Sequence, residues 1–159
     1  MEAVILIGVQ GSGKSTFCRE RFFETHVRIN LDMLKTRRRE ALLLRACLEA
    51  KQRFVVDNTN VTAADRQRYI GPASAAGFTV TGYFFNSRLE DALKRNRQRT
   101  GKSRIPERGV IGTYRRLELP QLSEGFDRLF SVSITETREF AVEEWKDNLQ
   151  VTSILSSGS

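Results

Sequence analysis

The sequence contains a single histidine, His26, among 159 residues. That scarcity argues against a histidine-based metal site and against a Ser/His catalytic triad. Cysteine is almost as rare. Cys18 and Cys47 share no C-x-x-C spacing, so a reducing, cytoplasmic setting is expected, or the host-cell cytoplasm if the protein is viral. No apolar run approaches the ~18 residues that a membrane span needs. The apolar stretch starting at Ala3 is too short for a signal peptide and runs directly into a glycine-rich turn. No membrane partner is expected. Internal repeats, linkers and a second composition are also missing, so the sequence predicts one domain over residues 1–150 with a frayed tail over 151–159.

Acidic residues are in deficit, and the deficit is local. The chain carries a net charge of +7. Between Arg88 and Arg116 ten Lys/Arg (88, 94, 95, 97, 99, 102, 104, 108, 115, 116) face three acids (90, 91, 107), so that segment alone accounts for +7 and the remainder sums to zero. A solvated helix face usually mixes both signs. One concentrated basic block points to a polyanionic partner, to which bound ATP contributes only part.

The stretch Gly8-Val9-Gln10-Gly11-Ser12-Gly13-Lys14-Ser15-Thr16 fits G-x-x-x-x-G-K-[ST], the phosphate-binding loop. Ala3-Val4-Ile5-Leu6-Ile7 before it reads as a buried parallel strand, and Thr16 to Phe23 after it as a helix with Phe17 and Phe22 facing inward. Small residues let backbone N–H groups turn toward the α- and β-phosphates at the positive end of that helix. Lys14 is then expected to reach the β- and γ-phosphates, and the Ser15 hydroxyl to hold Mg²⁺. The cofactors this predicts are ATP and Mg²⁺.

Downstream, strands alternate with helices. Strands are predicted at Val27–Asn30, Arg53–Asp57, Thr79–Phe85 and Leu129–Ile134, and helices at Arg37–Leu48, Thr62–Ala76, Leu89–Arg99 and Glu107–Leu119. Thr62 is the expected N-cap of its helix, with Asp65 three residues on, and Gly77 ends that helix. Beyond Thr135 the pattern weakens. The fold class is therefore α/β, a P-loop kinase fold with a five-stranded parallel sheet, helices on both faces and an arginine-rich lid. Ligands of such sheets bind outside the carboxyl ends of the strands. There the first three strands deliver Gly8–Ser15, Asp32 and Asp57-Asn58-Thr59-Asn60 to one edge.

Phosphoryl transfer asks mainly for positioning and charge stabilisation, with a carboxylate to orient the acceptor hydroxyl. Asp32 is assigned as the base and Asp57 as metal support. The competing role for Asp32 is that of a helix N-cap. Arg95 and Arg99 are four apart on one helix face, placed to fold over the triphosphate; Arg97 and Arg104 are further candidates, and a plain solvated basic face is the alternative. Tyr69, Tyr83 and Tyr114 are the aromatics available to stack on a base, Tyr83 being more at home in the core.

These elements together resemble the kinase domain of polynucleotide 5′-hydroxyl kinases of the phage and mammalian end-repair types, over roughly Ala3 to Ile134. The resemblance is carried by the phosphate loop, Ile29-Asn30-Leu31-Asp32, Val56-Asp57-Asn58-Thr59-Asn60, Arg95-Asn96-Arg97-Gln98-Arg99 with Ile105-Pro106, and Leu119-Pro120 with Glu124-Gly125-Phe126. It implies ATP- and Mg²⁺-dependent phosphorylation of the 5′-OH end of DNA or RNA. It also implies Asp32 as general base, the Asp57–Asn60 turn and position 35 at the acceptor, and Arg99 as a lid arginine paired with Arg95 in one subgroup's pattern or Arg97 in the other's. Lys35 stands where the phage pattern has a phosphate-gripping Arg, with Arg37 and Arg38 close by, and a lysine offers only a point charge there. The family's D-x-D phosphatase signature is not in the chain. A small-molecule kinase and an ATP-dependent switch are the competing readings, since fold likeness leaves the acceptor open.

Overall fold

A computed structural model describes residues 1–146, so the tail expected over 151–159 lies outside the described residues. The chain runs β1 (Glu2–Ile7), α1 (Lys14–Phe22), β2 (Val27–Ile29), α2 (Leu31–Leu34), α3 (Arg37–Glu49), β3 (Phe54–Val56), α4 (Ala63–Ala75), β4 (Thr79–Phe85), α5 (Leu89–Gln98), α6 (Glu107–Arg116), β5 (Arg128–Ile134) and β6 (Phe140–Glu144). The strands form one sheet in the order β2-β3-β1-β4-β5-β6. The first five are parallel, with Ile5 of β1 set between Val56 of β3 and Gly82 of β4.

The sheet has six strands where the sequence predicts five, and the sixth is antiparallel. β6 returns against β5 with Ile134 opposite Phe140 and Phe130 opposite Glu144. Its residues Phe140-Ala141-Val142-Glu143-Glu144 are half-buried to exposed, so no apolar run announces it. A border strand of a mixed sheet needs to cover only one neighbour and one face. Phe140 supplies that cover, packing edge-on against Phe17 at a centroid distance of 5.2 Å.

The unbroken apolar spelling of β1 follows from burial on both faces. Ala3, Ile5 and Ile7 point into the core beneath α3 and α4, with Leu44, Cys47, Tyr69 and Ile70. Val4 and Leu6 point the other way, into the core beneath α1, with Phe17, Cys18 and Phe22. Thr62 caps α4 in a full capping box: its hydroxyl accepts from the Asp65 N–H, and the Asp65 carboxylate accepts from the Thr62 N–H. No helix among the described residues is long and apolar enough to cross a membrane.

The Glu124-Gly125-Phe126 element is structural. Arg66 of α4, fully buried, donates to both Glu124 oxygens at 2.7 and 3.1 Å, and to the carbonyls of Asn60 and Val61 at 2.9 and 3.1 Å. The arginine therefore ties the end of the Asp57–Asn60 turn to a segment 58 residues further along. Gly125 sits at φ +115°, and a Cβ there would lie 2.8 Å from Ile70 Cγ2, so glycine alone fits this join.

Candidate active site

The phosphate loop joins β1 to α1, and its shape is fixed by contacts on both sides. Gly11 adopts φ +80°, and a Cβ on it would come within 2.5 Å of the Ala92 carbonyl of α5. The loop therefore runs hard against α5. Ser12 Oγ donates to the Val9 carbonyl at 2.7 Å, and the Gly8 N–H donates to the Thr59 carbonyl at 2.9 Å. Gln10 Nε2 donates to Thr113 Oγ1 of α6 at 3.1 Å, so the loop is tied to α6 as well. Thr16 is exposed, one residue beyond Ser15.

Lys14 is buried, and its ammonium donates to the carbonyls of Gly8 and Val9 at 2.8 and 2.9 Å. Burial pushes its pKa down to about 8, opposed by the carboxylates of Asp57 and Asp32 and reinforced by Arg99. A cation held this way is under-compensated by protein charge, which suits it to receive a polyphosphate.

Asp57 leaves the end of β3 almost fully buried. Its Oδ2 accepts from Ser15 Oγ at 3.0 Å, from Arg28 Nε at 2.9 Å and from Arg28 Nη2 at 2.8 Å. A hydroxyl beside a carboxylate is a hard oxygen pair, the donor chemistry of Mg²⁺ when substrate phosphates and waters complete its shell. The donor set fits that ion. Among the described residues no group of three or more His, Cys, Asp or Glu side chains forms an all-protein metal cage.

Asp32 follows the end of β2, in the first turn of the short helix α2. Asn30 is the cap of that helix: its side-chain oxygen accepts from the Met33 N–H at 2.9 Å, while its Nδ2 donates to the Asp57 carbonyl at 2.6 Å. The Leu31 N–H donates to Asn58 Oδ1 at 2.8 Å. With both roles filled by asparagines, the capping alternative for Asp32 falls away. Its exposed carboxylate makes no hydrogen bond or ion pair among the described residues and lines a cavity of about 280 Å³ together with Lys14, Ser15, Asp57 and Arg99.

The Asp57–Asn60 turn lines the same cavity, though two of its side chains are engaged by the protein. Asn58 Nδ2 donates to Glu40 Oε2 at 3.0 Å and to the Tyr69 hydroxyl at 3.1 Å. Asn60, at φ +48°, donates to the Leu6 carbonyl at 2.8 Å. These residues shape the wall: Asn58 aims α2, and Asn60 locks the turn to β1. Buried Glu40 anchors the cluster, accepting from Tyr69 at 2.9 Å and from Arg37 at 2.8 Å. Burial, then the Glu40 carboxylate, hold the Tyr69 phenol above its usual pKa, so it remains an O–H donor.

The arginines of α5 and its C-terminal cap are placed differently from one another. Arg99 lines the cavity from just beyond the helix end. Arg95 Nη1 donates to the Gly11 carbonyl at 3.2 Å and to Ser87 Oγ at 2.9 Å. Arg97 points away and pairs with Glu107 at the surface. Of the two patterns for the second lid arginine, the geometry brings Arg95 to the phosphate loop and leaves Arg97 outside. Asn96 secures the turn that follows: its amide donates to the Ile105 carbonyl at 2.7 Å and accepts from the Ile105 N–H at 3.0 Å.

Of two site arginines, Arg28 has no weight in the sequence reading and Arg37 enters it only as a neighbour of position 35. Arg28 is the middle residue of β2, and its charge inside Val-Arg-Ile, out of phase with the buried Ile29, is the only hint it gives. Arg37 lines the cavity, whereas exposed Lys35, at φ +73°, closes α2 and is not among the lining residues. Tyr69 is buried and Tyr83 packs among Phe17, Phe22 and Phe130, so neither offers a free face to a base. Tyr114 packs against the small core of Val9, Ala92 and Val110.

A family model described as AAA domain matches residues 34–120, more than half of the chain. A curated relative, the bifunctional polynucleotide phosphatase/kinase of Schizosaccharomyces pombe, is 28% identical over 135 residues. That match takes in 82% of this chain, which spans only about a third (33%) of the relative's length. Among solved structures, AvrRxo1-ORF1:-ORF2 with ATP aligns with a TM-score of 0.71 at 14% identity, covering 99% of this chain and 64% of that one. A gluconokinase from Sinorhizobium meliloti 1021 aligns with a TM-score of 0.59 at 18% identity, covering 98% and 90%. These likenesses carry the fold: an α/β P-loop kinase-like domain.

Proposed function

The chain belongs to the AAA domain family, and from that premise we propose that it is an ATP-dependent polynucleotide 5′-hydroxyl kinase. The observation that carries this reading is one cavity lined by Lys14, Ser15, Asp32 and Arg99, with Asp32 free of protein partners among the described residues. In it, the 5′ oxygen of the acceptor attacks the γ-phosphorus of ATP, the bond from that phosphorus to the β–γ bridging oxygen breaks, and ADP leaves. The acceptor's proton passes to the Asp32 carboxylate. Lys14 and the loop N–H groups hold the β- and γ-phosphates, and Arg99 with Arg95 meets the charge spread over the transferring group. Ser15 and Asp57 would hold Mg²⁺, which would supply charge neutralisation for the triphosphate. Arg28 keeps the Asp57 carboxylate turned toward Ser15.

The polynucleotide acceptor is favoured by the partial match to a phosphatase/kinase of that substrate class and by the basic segment from Arg88 to Arg116, since backbone phosphates are met by Lys and Arg. A second reading, a small-molecule kinase, is favoured by the modest size of the cavity, about 280 Å³, and by the likeness to a gluconokinase. The test is transfer of labelled γ-phosphate to a 5′-OH oligonucleotide, set beside a panel of sugars and nucleosides. The expected result is a labelled oligonucleotide whose formation weakens steeply with salt. Asp32→Ala should abolish labelling while ATP binding persists. Labelling confined to the small-molecule panel would replace the first reading with the second.

A further inference from the structure

The groove between α3 and α4 neighbours the active-site cavity, and Arg37 lines both. It encloses about 530 Å³. Its floor is apolar, made by Leu44 and Leu48 of α3 and Pro72 of α4, and Arg37, Arg45 and Arg68 stand around it. The acid that lines it, Glu40, is buried and already bound by Arg37, Tyr69 and Asn58. Glu49 pairs with Arg45 at 3.0 Å, but both side chains are exposed, so the pairing is weak and yields to a competing anion. Pro72 has no N–H, so the Arg68 carbonyl lacks its usual helical donor and stays open to one from a ligand.

We propose that this groove is the track for the acceptor strand on the 3′ side of the reacting nucleotide, an inference that rests on the polynucleotide reading of the cavity. The strand leaves the cavity beside Arg37, its phosphates meet Arg45 and Arg68, and base faces lie on Leu44, Leu48 and Pro72. Positive charge around an apolar floor is the combination that holds single-stranded nucleic acid without reading its sequence. A protein helix would also use the floor, but Arg68 has no ion pair among the described residues and Arg45 only an exposed one, so the rim favours a polyanion. From Arg37 to Leu48, α3 extends roughly 16 Å. At the ~3.4 Å per nucleotide of a stacked strand, that covers about five nucleotides.

The test is fluorescence anisotropy with 3′-labelled 5′-OH oligonucleotides from about two to about ten nucleotides long, run beside phosphate transfer to the same oligomers. For the wild type, affinity should climb to about five nucleotides and then level off. Arg45→Glu/Arg68→Glu should flatten that climb, weakening the longer oligomers by about tenfold or more, while the dinucleotide and ATP bind as before. Arg45→Ala/Arg68→Ala should lower the log–log salt slope by roughly 1.4. Both arginines are exposed, so the fold survives these changes, and unaltered ATP binding verifies it. If the variants keep the wild-type length dependence while oligomers are still phosphorylated, the groove assignment is overturned and the kinase reading stands. If the wild type neither binds nor phosphorylates oligomers of any length, both are overturned.

Discussion

Arg66 and Glu124 meet in a bidentate pair, 2.7 and 3.1 Å, with the guanidinium completely out of water. The same guanidinium holds the carbonyls of Asn60 and Val61, so the pair anchors the turn that forms one wall of the active site. Removing the acid alone strands a buried cation. Glu124→Ala should destabilise the protein by about 3–5 kcal/mol, whereas Arg66→Met/Glu124→Leu should cost clearly less than Glu124→Ala alone. Thermal unfolding of the three proteins checks this, and equal losses in the single and double variants would count against it.

Lys14 supplies a pH prediction. Its pKa is lowered to about 8 in the free protein from an ordinary value of 10.5. Between these values the unfolded chain holds a proton that the folded chain does not, so the folded state carries the penalty of this buried charge below pH 8 and is relieved of it as pH rises. ATP binding should go the other way. The triphosphate favours the ammonium form, so affinity should fall as pH passes 8, with uptake approaching one proton per ATP near pH 9. Calorimetry in buffers of different ionisation enthalpy measures that uptake, and Lys14→Met should remove it.

Arginines 95, 97 and 99 differ sharply in placement, and their variants should differ too. Arg99→Ala and Arg95→Ala should each lower kcat by about a thousandfold, the scale of losing a charge-neutralising arginine at a transferring phosphoryl group. Arg97→Ala should leave kcat within about twofold, because its partner is surface-exposed Glu107. Steady-state kinetics on the three variants separate these outcomes, and a large kcat loss at Arg97 would reassign the lid.

Gly11 tests how tightly the loop is held. Gly11→Ala places a methyl about 2.5 Å from the Ala92 carbonyl, at a φ of +80° that alanine resists. The backbone strain alone is of the order of 1–3 kcal/mol. Loop and α5 must separate, breaking the contact of Arg95 with the Gly11 carbonyl. ATP affinity and thermal stability should therefore fall together, where a local effect on the loop would move affinity alone.

Much of this architecture is readable in the chain itself. The buried parallel strands spell themselves in unbroken apolar letters, and Ser15, Asp32 and Asp57 follow from the rule that strand ends converge. Thr62 and Asp65 announce the start of α4 by their spacing. What escapes is whatever depends on partners distant in sequence. β6 buries too little to stand out as a hydrophobic run, and Phe140 gains meaning only once Phe17 is beside it. The structural partners of Asn58 and Asn60, namely Glu40, Tyr69 and the Leu6 carbonyl, come from distant parts of the chain. Arg28 becomes a site residue only when a two-residue alternation is placed in three dimensions, and Arg37 moves from a neighbour of position 35 to the cavity wall.

The two borders of the sheet have a bearing on crowding. One ends in β2, only three residues long, and the other in β6, a strand tipped by Glu143 and Glu144. Neither provides the long, flat, uncharged ladder on which chains stack edge to edge into fibrils. The sheet is thereby kept from polymerising through its own borders, and lengthening β2 by a few β-branched residues is the change that would forfeit that protection.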